Sequence, residues 1–110
     1  MALVVNGTPI EVDDEGYLVS LSDWSEAVAE EIARTEQVEL SEEHWAVINV
    51  IRDFYQTFEH APAMRPFVKA VGQALGADKG KSIYLMKLFP DSPAKLAAKI
   101  AGLPKPTNCL

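Results

Sequence analysis

The chain has 110 residues, 48% of them apolar, and a formal net charge of −6 at neutral pH. That length fits one domain, able to bury roughly two-thirds of its unfolded surface around a single core. One cysteine excludes an intramolecular disulfide, and no stretch approaches the ~20 apolar residues of a membrane helix.

The segment Met1–Val5 lacks a basic n-region, and its apolar run stops at Asn6. No secretory signal is therefore expected, and a cytoplasmic location is, where a lone thiol stays reduced unless it is used. Leu3-Val4-Val5 and Ile10-Glu11-Val12 flank Asn6-Gly7-Thr8-Pro9 and read as a β-hairpin, since Asn-Gly favours a type I′ turn. Asp13–Gly16 reads as a second turn, and Tyr17-Leu18-Val19 as a short strand.

Helical spacing then takes over. Ser22 or Asp23 is the expected cap of a first helix, with Glu26 completing a capping box after Asp23 and the end near Glu36. Its stripe is Trp24, Ala27, Val28, Glu31 and Ile32. Ser41 caps a second helix over about 42–59, with Glu42 and Glu43 in the first turn, where the helix dipole favours anions. Trp45, Ile48, Ile51, Arg52 and Tyr55 recur along it at helical spacing. A third helix covers about Met64–Leu75 and stops at Gly76. Asp78 is the expected cap of a fourth, stopped by Pro90. Ser92-Pro93 opens a fifth, to about Ala101, with proline at its first position. The pattern predicts a mainly α fold: a small bundle of about five helices with an N-terminal β-hairpin. It is one domain over 1–110, whose residues 102–110 form a flexible, mobile C-terminal arm.

Charge is split along the chain. Residues 1–60 hold 14 Asp and Glu against Arg34 and Arg52, a net of −12. Residues 61–110 hold eight Lys and Arg against Asp78 and Asp91, a net of +6. The general reading is two solvated faces of opposite sign. The functional reading is a basic field that favours a thiolate or persulfide anion and attracts an acidic partner or RNA phosphates. Arg52, Arg65, Lys81 and Lys87 read either as surface ion pairs, each worth little, or as a docking patch.

Cys109 is the leading candidate for chemistry. A cysteine serving only to pack belongs in the core, whereas this one follows Gly102-Leu103-Pro104-Lys105-Pro106 and precedes one residue. Prolines hold such a segment extended, so it spans roughly 20 Å beyond Gly102, suited to entering another protein's active site. His44 reads as exposed or as a capping residue of the second helix, and His60 as a favoured cation near its C-terminus. Gly76–Ser82 ends like a phosphate loop but lacks the spacing and the strand that precedes one. No cofactor and no metal site is expected, and the aromatic residues read mostly as core.

The run Ile100-Ala101-Gly102-Leu103-Pro104-Lys105-Pro106-Thr107-Asn108-Cys109-Leu110 resembles the signature of the TusE/DsrC family of sulfur-relay proteins. Gly16-Tyr17-Leu18, Trp24, Glu43-His44-Trp45, Arg52-Asp53-Phe54-Tyr55, Pro62–Arg65, Tyr84–Pro90 and Pro93-Ala94-Lys95 match in order. The resemblance implies a persulfide on Cys109, accepted from a TusBCD-like donor complex. It is then passed to an MnmA-like tRNA thiolation enzyme for 2-thiouridine at the wobble position. DsrC-like members carry a second cysteine at the position of Ala98, so the resemblance implies a one-thiol relay here. The alternatives are a DsrC-like partner of a sulfite reductase or of sulfur oxidation, and a nucleic-acid-binding regulator, against which the overall acidity weighs. Lys99 and Lys105 are candidates for tuning the thiol, or are simply solubilising.

Overall fold

The computed structural model describes residues 1–106. β1 (Ala2–Val5) and β2 (Thr8–Glu11) pair antiparallel, closed by Val5 opposite Thr8. Asn6 and Gly7 both have positive φ, 51° and 79°, as a type I′ turn requires. The loop is therefore two residues long, and Thr8 and Pro9 belong to β2. The expected third strand reduces to a single bridge between Val12 and Leu18. The Asp13 carboxylate accepts from the Glu15 and Tyr17 amides and shapes the turn between them.

Five helices follow: α1 (Glu26–Thr35), α2 (Glu42–Phe58), α3 (Met64–Leu75), α4 (Ser82–Leu88) and α5 (Pro93–Ile100). α1 is capped by Ser25, whose Oγ accepts from the Val28 amide, and not by Ser22 or Asp23. Residues Leu21–Asp23 form a 3₁₀ turn, and Trp24 leaves it extended, with φ −71° and ψ 140°. This places the indole outside the helix, against the C-terminal end of α5. α1 closes with the Gln37 amide bonded to Arg34 and the Val38 amide to Ala33, a Schellman pattern.

α2 begins with the expected Ser41 cap, but the partner in its capping box is His44. The Ser41 amide donates to Nδ1 of His44 (3.1 Å), so Nε2 carries the proton and donates it to the Leu88 carbonyl (2.8 Å). His44 is thus a capping residue as expected, but a buried one that ties the start of α2 to the end of α4. Tyr84 makes a second tie, its hydroxyl donating to Glu43 Oε2 at 2.7 Å. Phe54, Phe58 and His60 form a ring cluster at the far end of α2, and Phe58 departs from the core reading at 56% exposed.

α4 starts at Ser82, and Asp78 does not cap it. Residues 76–80 instead turn on bonds from the Lys79 and Gly80 amides to the Gly76 carbonyl. Gly80 then lies against Gly72 of α3, so closely that a Cβ on Gly80 would sit 2.8 Å from the Gly72 nitrogen. This contact of backbone on backbone needs glycine and delays the helix. α5 runs through the middle of the bundle and packs against the other four helices. Ala97, Ala98 and Ile100 are fully buried, alongside Ile32, Val47, Ile48, Ile51, Phe67, Val71, Leu85 and Phe89.

Gly80→Ala should lower stability by about 1–3 kcal/mol, the usual cost of overpacking, read as a lower urea midpoint at unchanged slope. Desolvation, reinforced by the Glu43 carboxylate, pushes the Tyr84 hydroxyl from 10.0 to about 12. The folded state holds that proton more tightly than the unfolded chain. Its contribution is present below pH 10 and is lost as pH rises from 10 towards 12. Tyr84→Phe should flatten this part of the stability profile, measured by denaturant unfolding across that window.

Candidate functional site

The chain that leads to Cys109 leaves α5 through a complete helix terminus. Gly102, at φ 75°, donates its amide to the Lys99 carbonyl (3.1 Å), and Leu103 donates to Ala98 (2.9 Å). This is a Schellman motif with glycine at its left-handed position and a buried leucine after it. Two carbonyls at the end of the helix remain for other donors. Trp24 Nε1 donates to Ile100 at 2.9 Å, and Arg52 Nη1 donates to Ala101 at 2.6 Å.

These two donors also hold each other. The Arg52 guanidinium lies 3.7 Å from the centroid of the Trp24 ring, a cation–π stack. The indole covers Gly102 so closely that a Cβ there would lie 2.6 Å from Trp24 Cγ. Burial pulls the Arg52 pKa below its ordinary value, and the charge of Asp53 opposes that. Arg52, read from sequence as a surface ion pair or docking residue, is thus a clamp on the backbone. Trp24, read as part of a helical stripe, is its lid. The signal for Arg52 was a charged residue recurring on the apolar stripe of α2, since a cation there needs a partner on the core side.

Residues 102–106, the first part of the expected arm, lie against the body. Gly102, Leu103 and Pro106 are buried, while Pro104 and Lys105 are exposed. Lys105 Nζ pairs with Glu15 Oε2 at 2.8 Å, and Lys99 Nζ with Glu36 Oε2 at 3.3 Å. Lys99 also stands 5.3 Å from the Tyr17 ring, whose hydroxyl donates to the Lys95 carbonyl. Both lysines considered for tuning the thiol are therefore engaged by carboxylates. Lys99 and both carboxylate partners line a cleft of about 240 Å³ beside α5, with Tyr17 and Lys95 among the other lining residues. Cys109, the predicted reactive residue, and with it the last part of the expected arm, lies outside the described residues. His60 is exposed, in the ring cluster at the end of α2, and His44 is held in its capping box; neither is brought to this cleft. Among the described residues no group of three or more His, Cys, Asp or Glu is placed to hold a metal ion. None of their helices is long and apolar enough to cross a membrane.

The fold and this terminus define a small helical domain with an N-terminal hairpin that grips the root of a C-terminal segment whose second-last residue is a cysteine. The family model described as DsrC like protein matches residues 4–110. The chain belongs to that family. It is 58% identical over 105 residues to the sulfurtransferase TusE of Sodalis glossinidius, covering 96% of this chain and 97% of that one. It superposes on DsrC of Allochromatium vinosum with a TM-score of 0.90 at 50% identity. The oxidized γ-subunit of the dissimilatory sulfite reductase from Archaeoglobus fulgidus gives 0.87 at 39%. Both structural matches cover 100% of each chain.

Arg52→Ala should cost about 2–3 kcal/mol, because it removes a charge-assisted bond to a buried carbonyl and the stack on Trp24. Arg52→Lys should recover little of this, since a point charge does not reproduce a planar group that stacks and donates at once. Thermal unfolding measures the loss, and faster hydrogen exchange at the Leu103 amide reports whether it falls at the segment's root.

Proposed function

We propose that the protein is a sulfur carrier that accepts persulfide sulfur on Cys109 and delivers it to a partner enzyme in the cytoplasm. The observation that supports this most is the position of the lone cysteine, three residues past Pro106 on a segment whose root is clamped by Trp24 and Arg52. The named relatives support the same reading. In the first step the Cys109 thiolate attacks the terminal sulfur of a donor persulfide. The S–S bond of the donor breaks, its thiolate leaves, and Cys109 becomes a persulfide. An acceptor thiolate then takes the terminal sulfur in the same way and returns Cys109 to the thiolate. Neither step consumes an oxidant or a reductant.

The donor in this reading is a TusBCD-like complex, the acceptor is an MnmA-like enzyme, and the product is 2-thiouridine at the wobble position of tRNA. A second reading, a DsrC-like partner of a sulfite reductase, draws on the 50% identity with the Allochromatium vinosum protein. Ala98 weighs against it, because the position where DsrC-like members carry their second cysteine here holds a methyl group buried in the core. Cys109 must then exchange with a thiol on another molecule.

Incubation with a persulfide donor should add about 32 Da, one sulfur atom, to the intact chain by mass spectrometry. Cys109→Ser should abolish the gain. A serine variant that still acquires the sulfur would refute the assignment. Wobble 2-thiouridine in cells carrying only that variant should fall to background, whereas unchanged levels would move the protein to the second reading.

A further inference from the structure

One apolar face of the bundle is left uncovered at α4 and the start of α5. Ile83 and Met86 lie three residues apart on α4, on one side of the helix, and are 67% and 49% exposed. Leu85 of α4 and Phe89 just after it are fully buried and fill the core side, so Ile83 and Met86 are not spare core residues. Next to Met86 is a hollow of about 270 Å³ lined by Met64, Pro93, Ala94, Asp91 and Lys95. Asp91 supplies the carboxylate in that lining. Lys81 and Lys87 flank the exposed pair at the two ends of α4, and neither they nor Lys95 enter a salt bridge among the described residues. The alternative reading of Lys81 and Lys87 as surface ion pairs is thereby removed.

The hollow adjoins the cleft beside α5. Asp91, Ser92 and Lys95 line both. At their junction Asp91 has φ 72°, and the Ser92 amide donates to the Pro90 carbonyl at 2.9 Å. A positive φ with a bond across one residue is the rarer, strained form of γ-turn, and strain of this kind is kept where surrounding structure needs it. Here it carries the chain from the apolar hollow directly to the cleft lined by Glu15, the partner of Lys105.

We propose that Ile83, Met86 and the Met64–Pro93 hollow form the surface on which the sulfur-donor protein docks, by an apolar side chain ringed with carboxylates. For the identity of the partner this rests on the proposed sulfur-carrier function. Three features select that occupant. Exposed methionines beside an apolar hollow adapt to an inserted side chain. The unpaired lysines favour a partner of negative surface and repel a positive one. An acceptor that holds anionic tRNA presents positive charge, and so is drawn to the acidic part of this chain and not to this face. A donor seated here adjoins the cleft beside α5, one of whose lining residues, Glu15, holds Lys105 of the segment that leads to Cys109.

Two full-chain variants test this against a TusBCD complex as donor: Ile83→Asp with Met86→Asp, and Lys81→Glu with Lys87→Glu. All four positions are exposed, and unchanged thermal midpoints confirm folding. Each variant should raise the KM for the donor at least tenfold with maximal transfer within twofold. Loading of Cys109 by inorganic polysulfide, which needs no docking, should be unchanged. The effect of the lysine variant should shrink as salt is added. Wild-type KM in both variants overturns the docking surface. So does a tRNA mobility shift lost only in the lysine variant while the apolar variant transfers normally, which would make the lysines an RNA contact. If neither donor nor polysulfide loads wild-type Cys109, the sulfur-carrier reading fails. Fluorescence anisotropy with labelled donor complex then decides docking separately: binding lost in both variants upholds it, and absent or unaffected binding ends it.

Discussion

The C-terminal end of α5 is the constraint on which the molecule turns. α5 packs against every other helix, so its position sets the bundle. A helix end buried in a bundle exposes carbonyls that must find donors or cost the free energy of desolvation. Backbone closure satisfies Ala98 and Lys99, and Trp24 and Arg52 satisfy Ile100 and Ala101. The two side-chain donors come from opposite sides of α1, one just before it and one from α2. The same four bonds that complete the helix therefore also lock the turn before α1, α2 and the root of the C-terminal segment into one unit.

Features encoded by local chemistry were legible in the sequence. Asn6-Gly7, Ser41, Gly76, Pro93 and Gly102 each act through their own backbone or through neighbours three or four residues away. The hairpin turn, the starts of α2 and α5, and the ends of α3 and α5 accordingly fall where the pattern put them. The two misplaced helix starts have causes distant in sequence. Trp24 is drawn out of α1 by a carbonyl 76 residues further on. Asp78 loses α4 because Gly80 must press on Gly72.

The candidate site divides along the same line. Cys109 was conspicuous because a lone thiol near a chain end, behind two prolines, makes no sense as packing. The clamp behind it was hidden. Trp24 and Arg52 are 28 residues apart in sequence, and their partners are main-chain carbonyls, which leave no mark on residue type. His44 was ambiguous for a related reason: the capping box is local and visible, but the Leu88 carbonyl it also binds lies 44 residues away.

The hold on the C-terminal segment is graded along its length. At the root, Arg52 and Trp24 bond to carbonyls in a water-poor setting, where a charge-assisted bond is worth about 1.5–3 kcal/mol. Further out, Lys105 pairs with Glu15 where both side chains are well exposed, and such pairs contribute about 0–1 kcal/mol. Any partner that draws on the segment meets the Lys105 pair and the buried Pro106 before it meets Leu103. The gradient places the point of yielding beyond Gly102, so the outer residues can be drawn away while the terminus of α5 stays intact. The proposed relay by Cys109 needs both properties, because a carrier that unravelled its central helix at each transfer would lose its stability, only about 5–15 kcal/mol in a domain of ordinary size, on every encounter.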